Sequence, residues 1–442
     1  MEQRSLITGR HPPTWVQYRR ILVLALLVRT AFCLAVNLNP QWQLGSHSQD
    51  SWSSSDGYVL IARSIIEDGR FAFGPDEPST AHRAPVFPCL IALTYLVTGS
   101  FGSAVVALNI VASSVTCLLI FFIARQFFSQ VPSYRIAILG SLYPHAIYYC
   151  VSGFSDTMIT LTATAYAAAL VAAVRRRTVT SAVIAGILLG AAVLTKPVLL
   201  LFPLVAIGYA WWWDRKLVGR LVIQTVVMLL VIAPWSARVY KLTHGIVPVA
   251  TGAGFNLLVG NYIVDEEWGS CDIAFRFATR RAMAYANETL QPERPFSIRT
   301  KQGAFDVDER LDRELLSLGL YQWARDPLLP FRKILINGLR FWYFCSSAWK
   351  SGVSALINFP LVILAGIGVI RCYRSRAGGP CMWLALLVVY NWMMHSLLIV
   401  HSRFYLSVMP IVIVGAAAAF VNVTRSSPDD PPRLKEHTGA AC

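Results

Sequence analysis

The stretch SAVVALNIVASSVTCLLIFFIA, residues 103–124, contains no charged side chain and is long enough to cross a bilayer as a helix. A hydrocarbon core takes about 20 apolar residues per helical crossing. Reading outward, runs of comparable character recur at 21–37, 135–152, 156–174, 181–195, 197–213, 221–237, 352–370, 381–400 and 404–423. The composition agrees: of 442 residues, 55% are hydrophobic and 14% charged, the balance of a polytopic membrane protein. The sequence thus predicts an all-α bundle of about ten or more transmembrane helices. Two further apolar segments, 86–101 and 327–345, are broken by Pro88 and Gly99 or laced with Arg332, Lys333 and Arg340, and read as interfacial or half-inserted.

The net charge of +15 is distributed by loop. Arg4, Arg10, Arg19 and Arg20 precede the first run. Arg175 to Arg177, then Arg215, Lys216 and Arg220, then Arg371, Arg374 and Arg376 fill short connections. The positive-inside rule assigns those loops and both termini to the cytoplasm, so the basic excess reads as an orientation device and not as a nucleic-acid surface. Residues of about 38–102 and 238–351 then form two large outward segments. The second carries alternating charges from Arg276 to Arg313, interrupted at Pro292 and Pro295. Residues 1–425 read as one membrane domain, and the proline-rich tail 426–442 reads as disordered. The cationic start and first run read as a retained anchor rather than a cleaved signal. The nine cysteines show no CxxC pairing and the eight histidines no HExxH spacing, so they read as packing residues, with no metal-ligand set.

Chemistry-bearing residues gather in the outward stretches. Asp56 opens the segment Asp56-Gly57-Tyr58 to Arg63 in the stretch between the first hydrophobic span and the next. A partly desolvated carboxylate at an interface is a suitable general base, because burial raises its pKa. The competing reading makes Ser54, Ser55 or Asp56 the N-cap of an interfacial helix that starts over Val59 to Ala62. Asp56 and Arg63, seven apart, would share a helix face. Arg83, before Pro85 and Pro88, is placed to bind phosphate, or to snorkel at a boundary. Lys196, Arg238 and Arg403 add cations at the outward ends of spans, with Asp156 as a helix cap or an orienting acid. Charge is nearly absent from span centres. That disfavours a transporter or lipid flippase, which would hold its ionisable groups at mid-membrane.

Together, Asp56-x-Tyr58, Arg83-x-Pro85-x-x-Pro88, Ser155-Asp156-Thr157, Thr195-Lys196-Pro197, Pro234-Trp235-x-x-Arg238, Gly254-Phe-Asn256 through Gly260-Asn261, and Arg403-Phe-Tyr405 with Pro410 resemble an ordered set of positions. The set is that of polyprenyl-phosphate-sugar-dependent glycosyltransferases of the GT-C fold, family 39 type. These include protein O-mannosyltransferases and the aminoarabinose and galacturonic acid transferases of lipid A. The resemblance covers most of 20–425. It implies a sugar donor on a polyprenyl phosphate and a lipid, glycan or protein acceptor. It implies Asp56 as base with inversion, and Arg83 on the donor phosphate, joined by Lys196, Arg238 and Arg403. Asp156, Tyr58 and Arg63 would orient the acceptor. It further implies a bacterial inner-membrane location with the site facing outward. Where many relatives place Glu after the aspartate, Gly57 stands, which leaves metal dependence open; no other cofactor is implied. An O-antigen ligase or polymerase is the alternative enzyme and would not need Asp56.

Overall fold

The computed structural model describes residues 14–38, 56–266, 270–293, 296, 298, 300, 304, 306–375 and 378–421. Ser54, Ser55 and the tail after residue 421 lie outside them. Helix α1 spans Thr14–Leu38, and the first outward segment holds α2 (Tyr58–Asp68) and α3 (Val86–Thr98). There follow α4 (Phe101–Arg125), α5 (Gln130–Ser141), α6 (Pro144–Tyr148), α7 (Asp156–Arg176), α8 (Val179–Thr195), α9 (Phe202–Trp213) and α10 (Val218–Thr243). The second outward segment holds α11 (Ala253–Ile263), α12 (Cys271–Leu290), α13 (Glu309–Arg325) and α14 (Leu329–Arg340). The chain closes with α15 (Ala348–Arg374), α16 (Gly378–Leu397) and α17 (Met409–Ala417). Among the described residues there is no strand, only an isolated bridge between Ala72 and Ser79.

Among the described residues, five helices are long and apolar enough to cross a membrane: α1, α4, α7, α10 with the turn before it, and α15. Their outward-pointing residues are apolar, among them Leu27 and Leu34 on α1, Leu230 on α10 and Leu356 and Ile363 on α15. Such faces suit lipid and would be out of place in water. The run read as a single span over 135–152 is instead broken. Pro144, with no N–H to donate, ends the continuity after α5, and Tyr143 before it is extended.

Small residues set how closely the spans pack. Helix α8 lies against both α7 and α10. A Cβ on Gly186 would stand 2.6 Å from the Gln224 carbonyl oxygen, and one on Gly190 would stand 2.6 Å from a Val231 methyl. This small-xxx-small spacing lets two backbones approach, the device that substitutes for hydrophobic driving force inside lipid.

The basic loops converge on one end of the bundle. Arg177 Nη2 meets Asp214 Oδ2 at 2.5 Å, and Arg220 Nε donates to the Arg177 carbonyl at 2.9 Å. Arg371 donates to the carbonyl of Ala419, and the Trp213 and Tyr373 rings lie 6.3 Å apart. The starts of α7 and of the turn after α8 are therefore at the opposite end, with the outward segments. One charge departs from the expectation that span centres are nearly free of it. Arg29, in the middle of α1, is fully buried. It donates to Ser113 Oγ (2.7 Å), Cys117 Sγ (3.4 Å) and the carbonyls of Ala25 and Ser141 (3.1 Å each). A guanidinium at that depth persists only with its donors engaged, and here it ties α1 to α4 and α5.

Helix α14 turns its polar face inward. Lys333, Asn337 and Arg340, spaced four and three apart, are fully buried, whereas Leu328, Phe331, Leu335 and Leu339 are exposed. Lys333 Nζ donates to Asn261 Oδ1 at 2.7 Å, and Arg340 donates to the carbonyls of Ile263 and Glu266, both at 2.7 Å. The inverted amphipathicity is that of a helix lying in the interface with its apolar side toward lipid. The expectation for 327–345 as an interfacial segment thus acquires a geometry.

Candidate active site

The first outward segment reaches the bundle through a tight reversal. Asp56 and Gly57 both adopt left-handed backbone, with φ of 52° and 74°. Asp is among the few residues other than glycine that tolerate this. At Gly57 a side chain has no room either, since a Cβ would lie 2.4 Å from the Phe73 ring. A longer side chain at position 57, such as the Glu expected from the resemblance, does not fit this packing. The reversal hands the chain to α2, whose N-cap is Gly57 with no side-chain cap. Asp56 is therefore not a capping residue, contrary to the competing reading from sequence.

Freed from that role, the Asp56 carboxylate meets Arg403, with Nη2 at 3.0 Å from Oδ2 and 3.3 Å from Oδ1. The Asp56 carbonyl accepts from Arg83 Nε at 2.6 Å. Arg403 also faces Asp156, Nε to Oδ2 at 3.5 Å, and Lys196 Nζ lies 3.3 Å from Asp156 Oδ1. Two carboxylates and three cations thus form one chain of contacts, Lys196 to Asp156 to Arg403 to Asp56 to Arg83. Asp156 is the first residue of α7, and Ser155 before it makes no side-chain cap. Its carboxylate is spent on the cations and not on the helix N-terminus. Tyr58 lies alongside: its ring is 5.6 Å from the Arg83 guanidinium and its hydroxyl accepts from Ser155 Oγ at 3.3 Å.

Aromatic rings line the cations, and these were missed in the sequence. Arg403 lies 3.8 Å over the Phe154 ring and Lys196 lies 4.0 Å over Phe404. The signal was present as an aromatic flanking each charge, Phe154 two before Asp156 and Phe404 next to Arg403, but spacing alone does not say which ring meets which cation. Arg403 Nε and Nη1 are buried with no hydrogen-bond partner among the described residues. The 3.5 Å approach to Asp156 is an ion pair too loose to count as a hydrogen bond.

Electrostatics reverse one expectation. Burial pushes the Asp56 carboxyl up, but Arg403 and Arg83, with Lys196 behind them, outweigh it and hold Asp56 well below the usual carboxylate range. The rise anticipated from desolvation alone does not occur, because the cations were not foreseen as direct neighbours. Burial pulls the Lys196 ammonium down despite Asp156. Burial also disfavours charge on Arg403, yet Asp56 and Asp156 drive it upward overall. Burial raises the Tyr58 phenol.

Two expected residues stand apart. Arg63, on α2, is exposed and lies 5.5 Å over the Phe101 ring, so it does not share a face with Asp56. Asp56 precedes the helix, which removes the premise of the seven-residue spacing. Arg238 stacks on Trp235 (4.6 Å) and Phe71 (5.0 Å), and its Nη1 donates to the Thr80 carbonyl at 3.4 Å. It holds the first outward segment in place. That segment is also stitched to the second: Thr251 N donates to the Ala81 carbonyl (3.0 Å) and Thr80 Oγ1 to Asp306 Oδ1 (3.0 Å). The Gly254–Asn261 motif is likewise structural, with Asn261 bonded to Gly319, Gln322, Trp323 and Lys333. Beside the site, Cys271, Asp272 and His401 converge.

Comparison with known proteins follows the same lines. The family described as dolichyl-phosphate-mannose-protein mannosyltransferase matches residues 82–238, well under half of the chain. No curated protein matches the sequence. Among solved structures, the oligosaccharyltransferase AglB from Archaeoglobus fulgidus, in complex with an inhibitory peptide and a dolichol-phosphate, superposes with a TM-score of 0.54 at 17% identity. That alignment covers 92% of this chain and 50% of the other. The apo form of the Archaeoglobus fulgidus oligosaccharyltransferase gives 0.53 at 15% identity, covering 91% and 50%. The form tethered to an acceptor peptide with the NVT sequon gives 0.53 at 17%, covering 92% and 49%. The chain therefore spans about half the length of these structures. It has the fold of the GT-C membrane glycosyltransferases, and Arg83, Asp156, Lys196 and Arg238 lie in the stretch that matches the mannosyltransferase family.

Proposed function

We propose that this protein is a membrane glycosyltransferase that moves a sugar from a polyprenyl-phosphate carrier to an acceptor hydroxyl outside the cytoplasm, with Asp56 as base. The observation that carries the reading is Arg403: a buried guanidinium whose Nε and Nη1 make no hydrogen bond among the described residues, held against a part-exposed carboxylate, with Arg83 and Lys196 in the same chain of contacts. Fixed cations with donors to spare suit a leaving group that becomes a phosphate dianion. In the step, the acceptor oxygen gives its proton to Asp56 and bonds to the anomeric carbon. The bond from that carbon to the phosphate oxygen breaks on the opposite face, so the configuration inverts and polyprenyl phosphate departs.

Donor binding also resolves the low basicity of Asp56. A phosphate that draws Arg403 and Arg83 toward itself weakens their hold on the carboxylate, so Asp56 becomes a stronger base only once the donor is in place. The site then favours donor first and acceptor second. Support from relatives is limited to kind: the matching family is described by a dolichyl-phosphate-mannose donor, and the superposed oligosaccharyltransferase holds a dolichol-phosphate. By the positive-inside argument the site faces out of the cytoplasm, and both termini face in. The test is transfer by membranes carrying Asp56→Asn, fed a polyprenyl-phosphate sugar donor. We expect loss of at least about 100-fold in rate with unchanged insertion. Transfer near the wild-type rate would overturn the assignment.

A further inference from the structure

Three potential metal ligands from two distant parts of the chain meet where the second outward segment touches the turn before α17. Cys271 and Asp272 begin α12, and His401 stands two residues before Arg403. Cys271 Sγ lies 3.6 Å from His401 Nε2, His401 Nε2 lies 3.3 Å from Asp272 Oδ1, and Cys271 Sγ lies 3.7 Å from Asp272 Oδ1. The edges of a tetrahedron around Zn²⁺, built from ordinary Zn–S, Zn–N and Zn–O bonds, are about 3.6 Å (S to N), 3.4 Å (N to O) and 3.6 Å (S to O). The observed triangle has those edges.

The surroundings suit a bound ion. Cys271 is fully buried, while the Asp272 side chain is about half exposed at 48%, which leaves one side of the triangle open. The other ring nitrogen of His401, Nδ1, lies 3.4 Å from Ser402 Oγ, which in turn lies 3.4 Å from the Tyr149 hydroxyl. Metal-binding histidines are normally oriented through their second nitrogen in this way. The backbone places the thiol as well: the Cys271 N–H donates to the Cys345 carbonyl at 2.9 Å. One thiolate, one imidazole and one carboxylate with an open fourth position is a donor set for zinc, and the thiolate argues against magnesium or calcium.

We propose that Cys271, Asp272 and His401 form a three-ligand site for Zn²⁺ that fastens the start of α12 to the turn bearing Arg403. On binding, the Cys271 thiol releases its proton to solvent and the thiolate bonds to the ion. The ion would hold Arg403 in register between Asp56 and Asp156, and its open position would admit water or a polar acceptor group. The three residues are positioning residues for Arg403 in this scheme.

The test uses the full chain, purified in detergent, stripped with chelator and titrated with Zn²⁺ or Co²⁺ alone. Expected are one equivalent of bound metal and, with Co²⁺, a thiolate-to-metal charge-transfer band. Cys271→Ser should remove the band. His401→Gln and Asp272→Asn should each weaken Zn²⁺ binding by more than about 100-fold, beyond the range for outer-shell partners. Should Cys271→Ser fail to fold, the two other variants, checked by gel filtration, decide alone. Absence of stoichiometric metal, or binding unchanged in His401→Gln and Asp272→Asn, would overturn the site. The readout is bound metal, so failure here is distinguishable from failure of the transfer reaction.

Discussion

At the scale of single residues, the site turns on how Asp56 is kept ionised. Because Arg403 and Arg83 hold the Asp56 carboxyl well below the usual carboxylate range, the carboxylate should stay charged through that range in the donor-free protein. The profile of kcat/KM against pH reports the free enzyme, so no acid limb from Asp56 should appear near the usual carboxylate range. The kcat profile reports the complex, and its acid limb should lie at higher pH, as the donor phosphate competes for the cations. Coincident limbs in the two profiles would remove the donor-first argument. Arg83→Ala should raise the donor KM by about 10–100-fold, the worth of one charge-assisted hydrogen bond, measured with donor varied at saturating acceptor. Gly57→Ala tests the reversal itself. Left-handed strain and the contact with Phe73 should each destabilise by about 1–3 kcal/mol, visible as a lower Tm in detergent. Asp56 was legible as the leading candidate because an acid at the mouth of a span invites explanation. Its partner Arg403 was legible only as one of several cations, since nothing local marks which of Lys196, Arg238 and Arg403 folds back onto the first loop.

Elements were read more securely than contacts. The apolar runs at 103–124, 156–174 and 352–370 fall inside α4, α7 and α15 because uninterrupted hydropathy over a span length leaves little choice of conformation. The run over 135–152 misled because a single proline in apolar surroundings scarcely lowers hydropathy, yet it breaks the helix. Arg29 escaped notice for a similar reason: one charge in a long apolar run barely alters the average, and its acceptors come from α4 and α5. Helix α14 carries a prediction of its own. Burial lowers the Lys333 ammonium to about 7, whereas in the unfolded chain it titrates near about 10.4. Between these values the unfolded state holds more protons, so stability should rise with pH through that window and be lowest below it. Lys333→Met should flatten the dependence of Tm on pH between 7 and 9. A slope equal to wild type would show that another group is responsible.

For the molecule as a whole, the distribution of charge foretold two ends, and the fold has them. Arg177, Asp214, Arg220 and Arg371 gather at one, and Asp56, Asp156, Lys196 and Arg403 at the other. A reporter fused near residue 75 should therefore read as external, and a cytoplasmic result would place the site on the wrong side for the proposed chemistry. What composition could not supply was the stitching of the two outward segments at Thr80, Ala81, Thr251 and Asp306, which is tertiary and leaves no periodic trace. The pairing of Asp56 with Arg403 joins positions 347 residues apart. A ribosome-bound chain will have threaded nearly every helix before that guanidinium emerges. Until then the early acid has no such counter-ion, so on the proposed mechanism the nascent protein is expected to be silent while its bundle is being assembled. Under that proposal, competence is expected only once the turn bearing Arg403 has folded back onto the first outward segment.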